Sequence, residues 1–306
     1  MNLKSKFTKL TTVDKYQRVD ATHNIDIYLG YNQNGQKSMV ITEYSKIYPV
    51  KSSKAINVLL NKREDGKSAL SFDLIDDIYE NLFYVFCNDI VISSQNISKD
   101  KSIAFCLKRW TYWKSMFSKK KDDLLSELEI KGLIGELYFL KNNMIRKYGV
   151  DASVKSWMGP LYGHKDFEIN NTWYEVKSIS EAAITVKVSS IEQLDSDKDG
   201  HLIVIRLEKS NVMSQGILRL NEMVQELASM IEDSDVLHEF GKKLNNMGYT
   251  YCEEYDEIVY SFKGIESYLI NHKFPIMRKK QMHNAITNIT YAIILNNINR
   301  FKEGVM

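Results

Sequence analysis

The chain is poor in residues that break or staple a fold. Three prolines in 306 residues, with no Gly-, Ser- or Pro-rich stretch, no low-complexity segment and no internal repeat, argue against a flexible string of domains. Its three cysteines, Cys87, Cys106 and Cys252, are scattered, odd in number and without metal-ligand spacing. That excludes a disulfide framework and a zinc site and leads us to expect reduced core residues in a cytoplasmic protein. No apolar run is long enough to span a bilayer, and Met1 to Lys9 lacks the apolar stretch of a signal peptide, so neither export nor a membrane is expected. An excess of one charge is missing too. Forty-one Lys and Arg against 39 Asp and Glu leave +2, so any nucleic-acid surface must be a local patch.

What is present points to a folded chain long enough for two domains, or for one domain with large appendages: 44% hydrophobic residues, with 18 Tyr and 12 Phe. Two apolar runs, 25–31 and 38–44, flank Asn34-Gly35, a hairpin signal, and a second pair, 56–60 and 68–72, flanks Asp65-Gly66. Residues 76–93 follow with helical apolar spacing. These elements predict a β-rich N-terminal domain over residues 1–97, open to a scaffold or docking role and to DNA-sequence recognition. A helix over 98–121 then carries Lys99, Lys101, Lys108, Arg109, Lys114 and Lys119 to Lys121 among Trp110, Tyr112 and Trp113. Such a stretch suits contact with a phosphate backbone, which makes Lys108, Arg109 and Lys114 candidate substrate-binding residues. It equally suits a solvated face whose aromatics are core, and Arg278-Lys279-Lys280 is open to the same two readings.

The next helix sets Ile130, Leu133, Ile134, Leu137 and Met144 on one stripe, as a helix lying on a sheet requires. Gly132 and Gly135 would permit close backbone approach, and Glu136 stands at the edge of the stripe. As a third carboxylate Glu136 could bind a metal directly or through water; otherwise it is an ordinary edge residue. Trp157 in the following loop reads as a packing anchor or a base-stacking platform, and His164 as a lone loop histidine without a catalytic role.

The densest chemistry lies at Lys165-Asp166-Phe167-Glu168-Ile169, an Asn170-Asn171 turn, and Trp173-Tyr174-Glu175-Val176-Lys177-Ser178. Strand alternation points Glu175 and Lys177 to one face, with Asp166 across the hairpin from them. Two carboxylates and an ammonium on a half-buried face are costly without a partner, and a divalent metal with its water is the natural one. Glu168 competes with Asp166 as ligand, or pairs with Lys187. Downstream, 184–188 reads as a third strand, Ser189 to Leu194 as a capped helix start, and 202–207 as a closing strand. Asp195 to Gly200 lacks the twelfth-position acid of a calcium loop and reads as a solvated turn. Helices are expected over 218–231 and 236–246, strands or a mixed pair over 257–270 and 285–295, and a substrate-side lip at Tyr268 with Phe274-Pro275.

The spacing Asp166, Glu175, Lys177, with Gly135-Glu136 upstream and Trp157-x-Gly159-Pro160 between, resembles the PD-(D/E)XK nuclease superfamily. Lys165 stands where that pattern has proline. The chain also looks like the bacterial PD-(D/E)XK motif proteins carried in phage-defence gene clusters. The resemblance implies an α/β fold with a restriction-endonuclease-like core over 98–210, followed by a C-terminal α/β region over 211–306. It implies a Mg²⁺-dependent DNA endonuclease, with Mn²⁺ able to substitute. Asp166, Glu175 and Glu136 would be metal ligands and Lys177 the catalytic lysine. Gln193 matches a glutamine that some relatives, the Mrr-like nucleases among them, carry near the site, where it would orient substrate or the lysine; it equally suits an exposed helical position. DNA, other defence-system subunits such as a helicase-like ATPase, and a second copy in a homodimer are the implied partners. Two rivals stand beside this reading: a non-catalytic DNA-binding or assembly subunit that keeps the fold, and an interaction module in which Asp166, Glu175 and Lys177 form only a structural ion pair.

Overall fold

The computed structural model describes residues 3–10, 12–47, 49–116, 124–161, 163–211, 216–283, 285–286 and 289–304. It falls into two units, residues 1–122 and 123–306.

The first unit opens with α1 (Leu3–Lys9) and an antiparallel sheet of β1 (Lys15–Arg18), β2 (Asp26–Tyr31), β3 (Lys37–Glu43), β4 (Ile56–Lys62) and β5 (Ser68–Leu74), in the order β1-β2-β3-β5-β4. Both hairpins expected from their Asn-Gly and Asp-Gly turns are present, β2 on β3 and β4 on β5. Two helices follow, α2 (Glu80–Ser93) and α3 (Ser102–Met116). Phe72 of β5, Phe86 of α2 and Trp110 of α3 meet ring to ring in the core. The expected boundary at 97/98 moves to 122/123 because α3 is tied into this unit at its first turn. The buried Glu43 carboxylate at the end of β3 accepts from Ser102 Oγ at 2.8 Å and from Ile103 N at 2.6 Å. A carboxylate on a first-turn helix N–H is a strong cap.

The second unit begins with α4 (Glu127–Phe139), entered through a capping box between Ser126 and Glu129. It widens into a π-helical turn at Leu140–Met144 and continues as the short α5 (Ile145–Tyr148) and α6 (Val150–Ser156). The strands are β6 (Phe167–Ile169), β7 (Thr172–Ile179), β8 (Thr185–Val188), β9 (Gly200–Lys209) and β10 (Ile217–Arg219). Helices α7 (Leu220–Met230) and α8 (Ser234–Asn246) precede β11 (Val259–Ile270), β12 (Tyr291–Ile294) and β13 (Lys302–Glu303). One mixed sheet runs β10-β11-β9-β7-β6, with β13 added to β11; β7 and β9 are parallel and the other pairs antiparallel. The expected third strand leaves this sheet: β8 pairs with β12 in a separate ribbon. Ser189 to Leu194 shortens to a single 3₁₀ turn.

The stripe Ile130, Leu133, Ile134, Leu137 and Met144 is buried, as its spacing predicts. On the opposite face of the sheet, Trp173, Leu202, Val204, Tyr268 and Ile270 pack with Val186, Ile293 and Phe274 from the ribbon and C-terminal segment. Tyr268 and Phe274 are thus core residues, not a lip. The region after 210 is likewise part of this unit, since β11 pairs along most of β9. Among the described residues no helix is long and apolar enough to cross a membrane.

Candidate active site

Asn170 and Asn171, at φ 48° and 66°, make the two-residue turn that joins β6 to β7. Asparagine tolerates this left-handed geometry, and two such residues in succession match the twist of an antiparallel hairpin. The turn fixes the register Phe167 to Tyr174, which places Asp166, one residue before β6, across from Glu175. Because β6 stops short, the Val176 amide lacks a strand partner there. The Asp166 carboxylate takes that place, accepting from Val176 N at 2.7 Å through Oδ2. The Asp166 carbonyl accepts from Met158 N at 2.7 Å and Gly159 N at 3.2 Å, so the residue is held between β7 and the 157–159 segment.

Glu136 arrives from α4. Gly135 lets that helix press on β7: a Cβ there would lie 1.9 Å from Ser178 Oγ and 3.3 Å from Ser178 Cβ. Gly132 has no neighbour within 4 Å of such a position and plays no part in the contact. Trp157, fully buried, donates from Nε1 to Glu136 Oε2 at 2.7 Å, so the packing anchor also orients the carboxylate. Gly159 marks where two acids converge, since a Cβ there would lie 3.1 Å from Asp166 Oδ1 and 3.3 Å from Glu136 Oε2.

Glu175 is 1% exposed; Lys177 Nζ donates to its Oε1 at 2.7 Å, and its Oε2 is buried with no hydrogen-bond partner. Burial, and then the neighbouring Asp166, pushes the Glu175 carboxyl up to about 8. Burial, and then Asp166, likewise holds Glu136 well above the usual carboxylate range. Asp166 is raised by burial, against the pull of Lys177 and the Val176 amide. For Lys177 burial favours the neutral amine, but Glu175 and Asp166 outweigh it and raise its pKa, so it stays an ammonium.

Three crowded carboxylates, one with an unpartnered buried oxygen, are a donor set that suits a hard divalent cation. Among the described residues, however, no three Asp, Glu, His or Cys side chains are grouped closely enough to hold a metal ion as they stand. Glu168, the alternative acid, is exposed on β6, and no hydrogen bond ties it to this group. His164 is exposed as well.

The expected substrate-binding residues are not gathered here. Arg109 is 2% exposed and turned into the first unit, where it grips Asp89 through Nε at 2.8 Å and Nη2 at 2.6 Å, beside Trp113 Nε1 on the same carboxylate at 2.7 Å. It is therefore unable to track a phosphate backbone. Trp110, Tyr112 and Trp113 are core residues, while Lys108 is exposed and Lys114 half-buried; Lys119 to Lys121 lie outside the described residues. Gln193 accepts from Ser189 N at 2.8 Å, closing its own turn. Arg278 pairs with Asp195 at 3.2 Å.

One buried group near the site escaped the sequence reading. Lys165 packs its Nζ 4.1 Å from the centre of the Trp173 ring. Its place beside Asp166 was the only available signal.

The family described as "Putative PD-(D/E)XK family member, (DUF4420)" matches residues 3–296. No curated protein and no solved structure matches the chain.

Proposed function

Since the chain belongs to this PD-(D/E)XK family, we propose that it is a metal-dependent endonuclease that hydrolyses phosphodiester bonds in DNA, with the second unit as a restriction-endonuclease-like core. The observation that carries the reading is that Asp166 Oδ1 and Glu136 Oε2 both border Gly159, with the buried Glu175–Lys177 pair in the same unit. Asp166, Glu175 and Glu136 would hold Mg²⁺, with Mn²⁺ as substitute. When bound, such an ion polarises the scissile phosphate and lowers the pKa of a water. Lys177, kept as an ammonium by its two carboxylate neighbours, suits orienting that water and offsetting charge on the phosphate better than removing a proton. Trp157 holds Glu136, and the Val176 amide holds Asp166, in the orientation the site needs. Restriction or phage defence, a helicase-like ATPase partner and a homodimer that cuts both strands complete the proposal.

One observation favours a second reading, a DNA-binding or assembly subunit that retains the fold without cutting. Glu175 Oε1 is already taken by Lys177 and Asp166 Oδ2 by a main-chain amide. Incubation of the purified protein with plasmid and Mg²⁺, with and without candidate partner subunits, separates the two. Cleavage that Asp166→Ala removes supports the nuclease. Plasmid binding with no cleavage under any combination, and no heat of Mn²⁺ binding, supports the subunit.

A further inference from the structure

We infer that Lys165 is a positioning residue of this site, a buried strut that fixes the Asp166 carboxylate by tying its segment to the turn at 191–195. The functional consequence rests on the nuclease reading; the strut rests on geometry alone.

Lys165 is 5% exposed. Lysine is seldom so deeply buried, and an ammonium withdrawn from water needs compensation. It finds this in three places: the main-chain oxygen of Glu192, that of Asp195 at 3.0 Å, and the face of the Trp173 ring at 4.1 Å. Nearby carboxylates, Glu175 first among them, also favour its charge, but its direct contacts are to backbone and ring, so the side chain acts as a clamp on the turn.

The clamped turn is itself anchored. The Asp195 carboxylate accepts from Arg278 Nη1 at 3.2 Å and from Lys279 N at 2.9 Å, and Arg278 Nη2 donates to Asn271 O at 3.2 Å. A continuous set of contacts therefore runs from Asp166 through Lys165 and the turn to the segment after β11. Asp166 needs such support because it lies outside β6, where no strand ladder holds it. Its own contacts, to the amides of Val176, Met158 and Gly159, are directional and fail if the preceding residue drifts. This gives a role to three features that the catalytic reading leaves idle: Lys165, the acidic turn, and Arg278-Lys279.

The test uses the full chain as Lys165→Met, which keeps the side-chain length, Lys165→Arg, which keeps the charge and donors, and Arg278→Gln, which loosens the turn from its far side. Amide hydrogen exchange at Val176, Met158 and Gly159 is compared with amides of the β9–β11 ladder, and Mn²⁺ affinity is measured by calorimetry. Lys165→Met should speed exchange at the three amides, and weaken Mn²⁺, by roughly ten-fold or more, the order expected for one lost charge-assisted hydrogen bond. The ladder amides should not change. Lys165→Arg should recover part of both effects, and Arg278→Gln should move both in the same direction by less. Wild-type exchange at Val176 in Lys165→Met would overturn the inference, as would Lys165→Arg behaving like Lys165→Met. If Lys165→Met does not fold, Arg278→Gln decides, and an unchanged Val176 amide there overturns it. Should the wild type bind no Mn²⁺, the nuclease reading fails while the exchange data still judge the strut.

Discussion

The contact between Gly135 and Ser178 sets how closely α4 can bring Glu136 to Asp166, and it can be tested by adding one carbon. In Gly135→Ala the new Cβ would sit 1.9 Å from Ser178 Oγ, far inside van der Waals contact. Rotating the hydroxyl away leaves Cβ to Cβ at 3.3 Å, which asks for a shift of a few tenths of an ångström more. Overpacking of this kind costs about 1–3 kcal/mol. Alanine returns about 1 kcal/mol through its helix propensity, so a net loss of up to about 2 kcal/mol is expected. In a unit of this size that lowers Tm by about 2–4 °C for each kcal/mol. Ser178→Ala should by itself be neutral or mildly stabilising, because Ser178 Oγ is buried without a hydrogen-bond partner. In the Ser178→Ala background the clash with the hydroxyl is gone and only the 3.3 Å contact between the two Cβ positions remains, so Gly135→Ala should cost clearly less than in the wild type. Urea melts of the four proteins measure this coupling, and Mn²⁺ titration of Gly135→Ala shows whether the retreat of α4 weakens the site. Gly135→Ala as stable as the wild type, with no coupling to Ser178, would refute the close approach.

Lys177→Ala should keep Mn²⁺ binding because the three carboxylates remain, whereas Asp166→Ala removes a ligand and weakens it; both should abolish cleavage, and full cleavage by Lys177→Ala would sink the role given to that lysine. In the metal-free protein Glu175, Glu136 and Asp166 all have raised pKa values, so over part of the pH range the folded chain binds more protons there than the unfolded chain does. Their contribution to stability should therefore be fully present below the ordinary carboxylate range and be lost as pH rises, for Glu175 toward about 8, at up to about 1.4 kcal/mol per pH unit for each proton. Urea melts across that window should show a shallower slope in Glu175→Gln, and an identical slope would contradict the buried acid. Arg109→Ala should cost about 3–5 kcal/mol by leaving Asp89 buried and uncompensated, while Lys108→Ala and Lys114→Ala stay within about 0.5 kcal/mol. If those two lysines contact phosphate, each loss should flatten the salt dependence of DNA binding by about 0.9 log unit; an unchanged slope assigns them to a solvated surface.

Local signals were legible in the sequence where the physics is local. The Asn-Gly and Asp-Gly hairpins, the stripe on α4 and the juxtaposition of Asp166 with Glu175 each follow from spacing along a few residues. What could not be read depends on partners distant in the chain. β8 looks like any short strand of alternating residues, and only pairing with β12, about a hundred residues later, takes it out of the main sheet. Arg109 and Lys108 are neighbours in a basic helix, and it is Asp89 on α2 that turns one inward. The first boundary moved because a single acid, Glu43, caps a helix nearly sixty residues ahead of it. Lys165 was read only as a substitute for proline, since nothing in the sequence says that two carbonyls and a ring await its ammonium.

The long pairing of β11 with β9 bears on how the second unit can be cut, fused or inherited. Leu202, Ile203, Val204, Ile205 and Leu207 make the middle of β9 apolar and buried, and β11 covers one of its edges from Gly200 to Lys209. A chain ended near residue 210 would keep Asp166, Glu175 and Lys177 yet expose a long, flat hydrophobic strand edge, a template for aggregation. The stretch beyond 210 is thus not a removable accessory, and any domain gained or lost in this family without damage to the fold must be joined outside the β9–β11 pair.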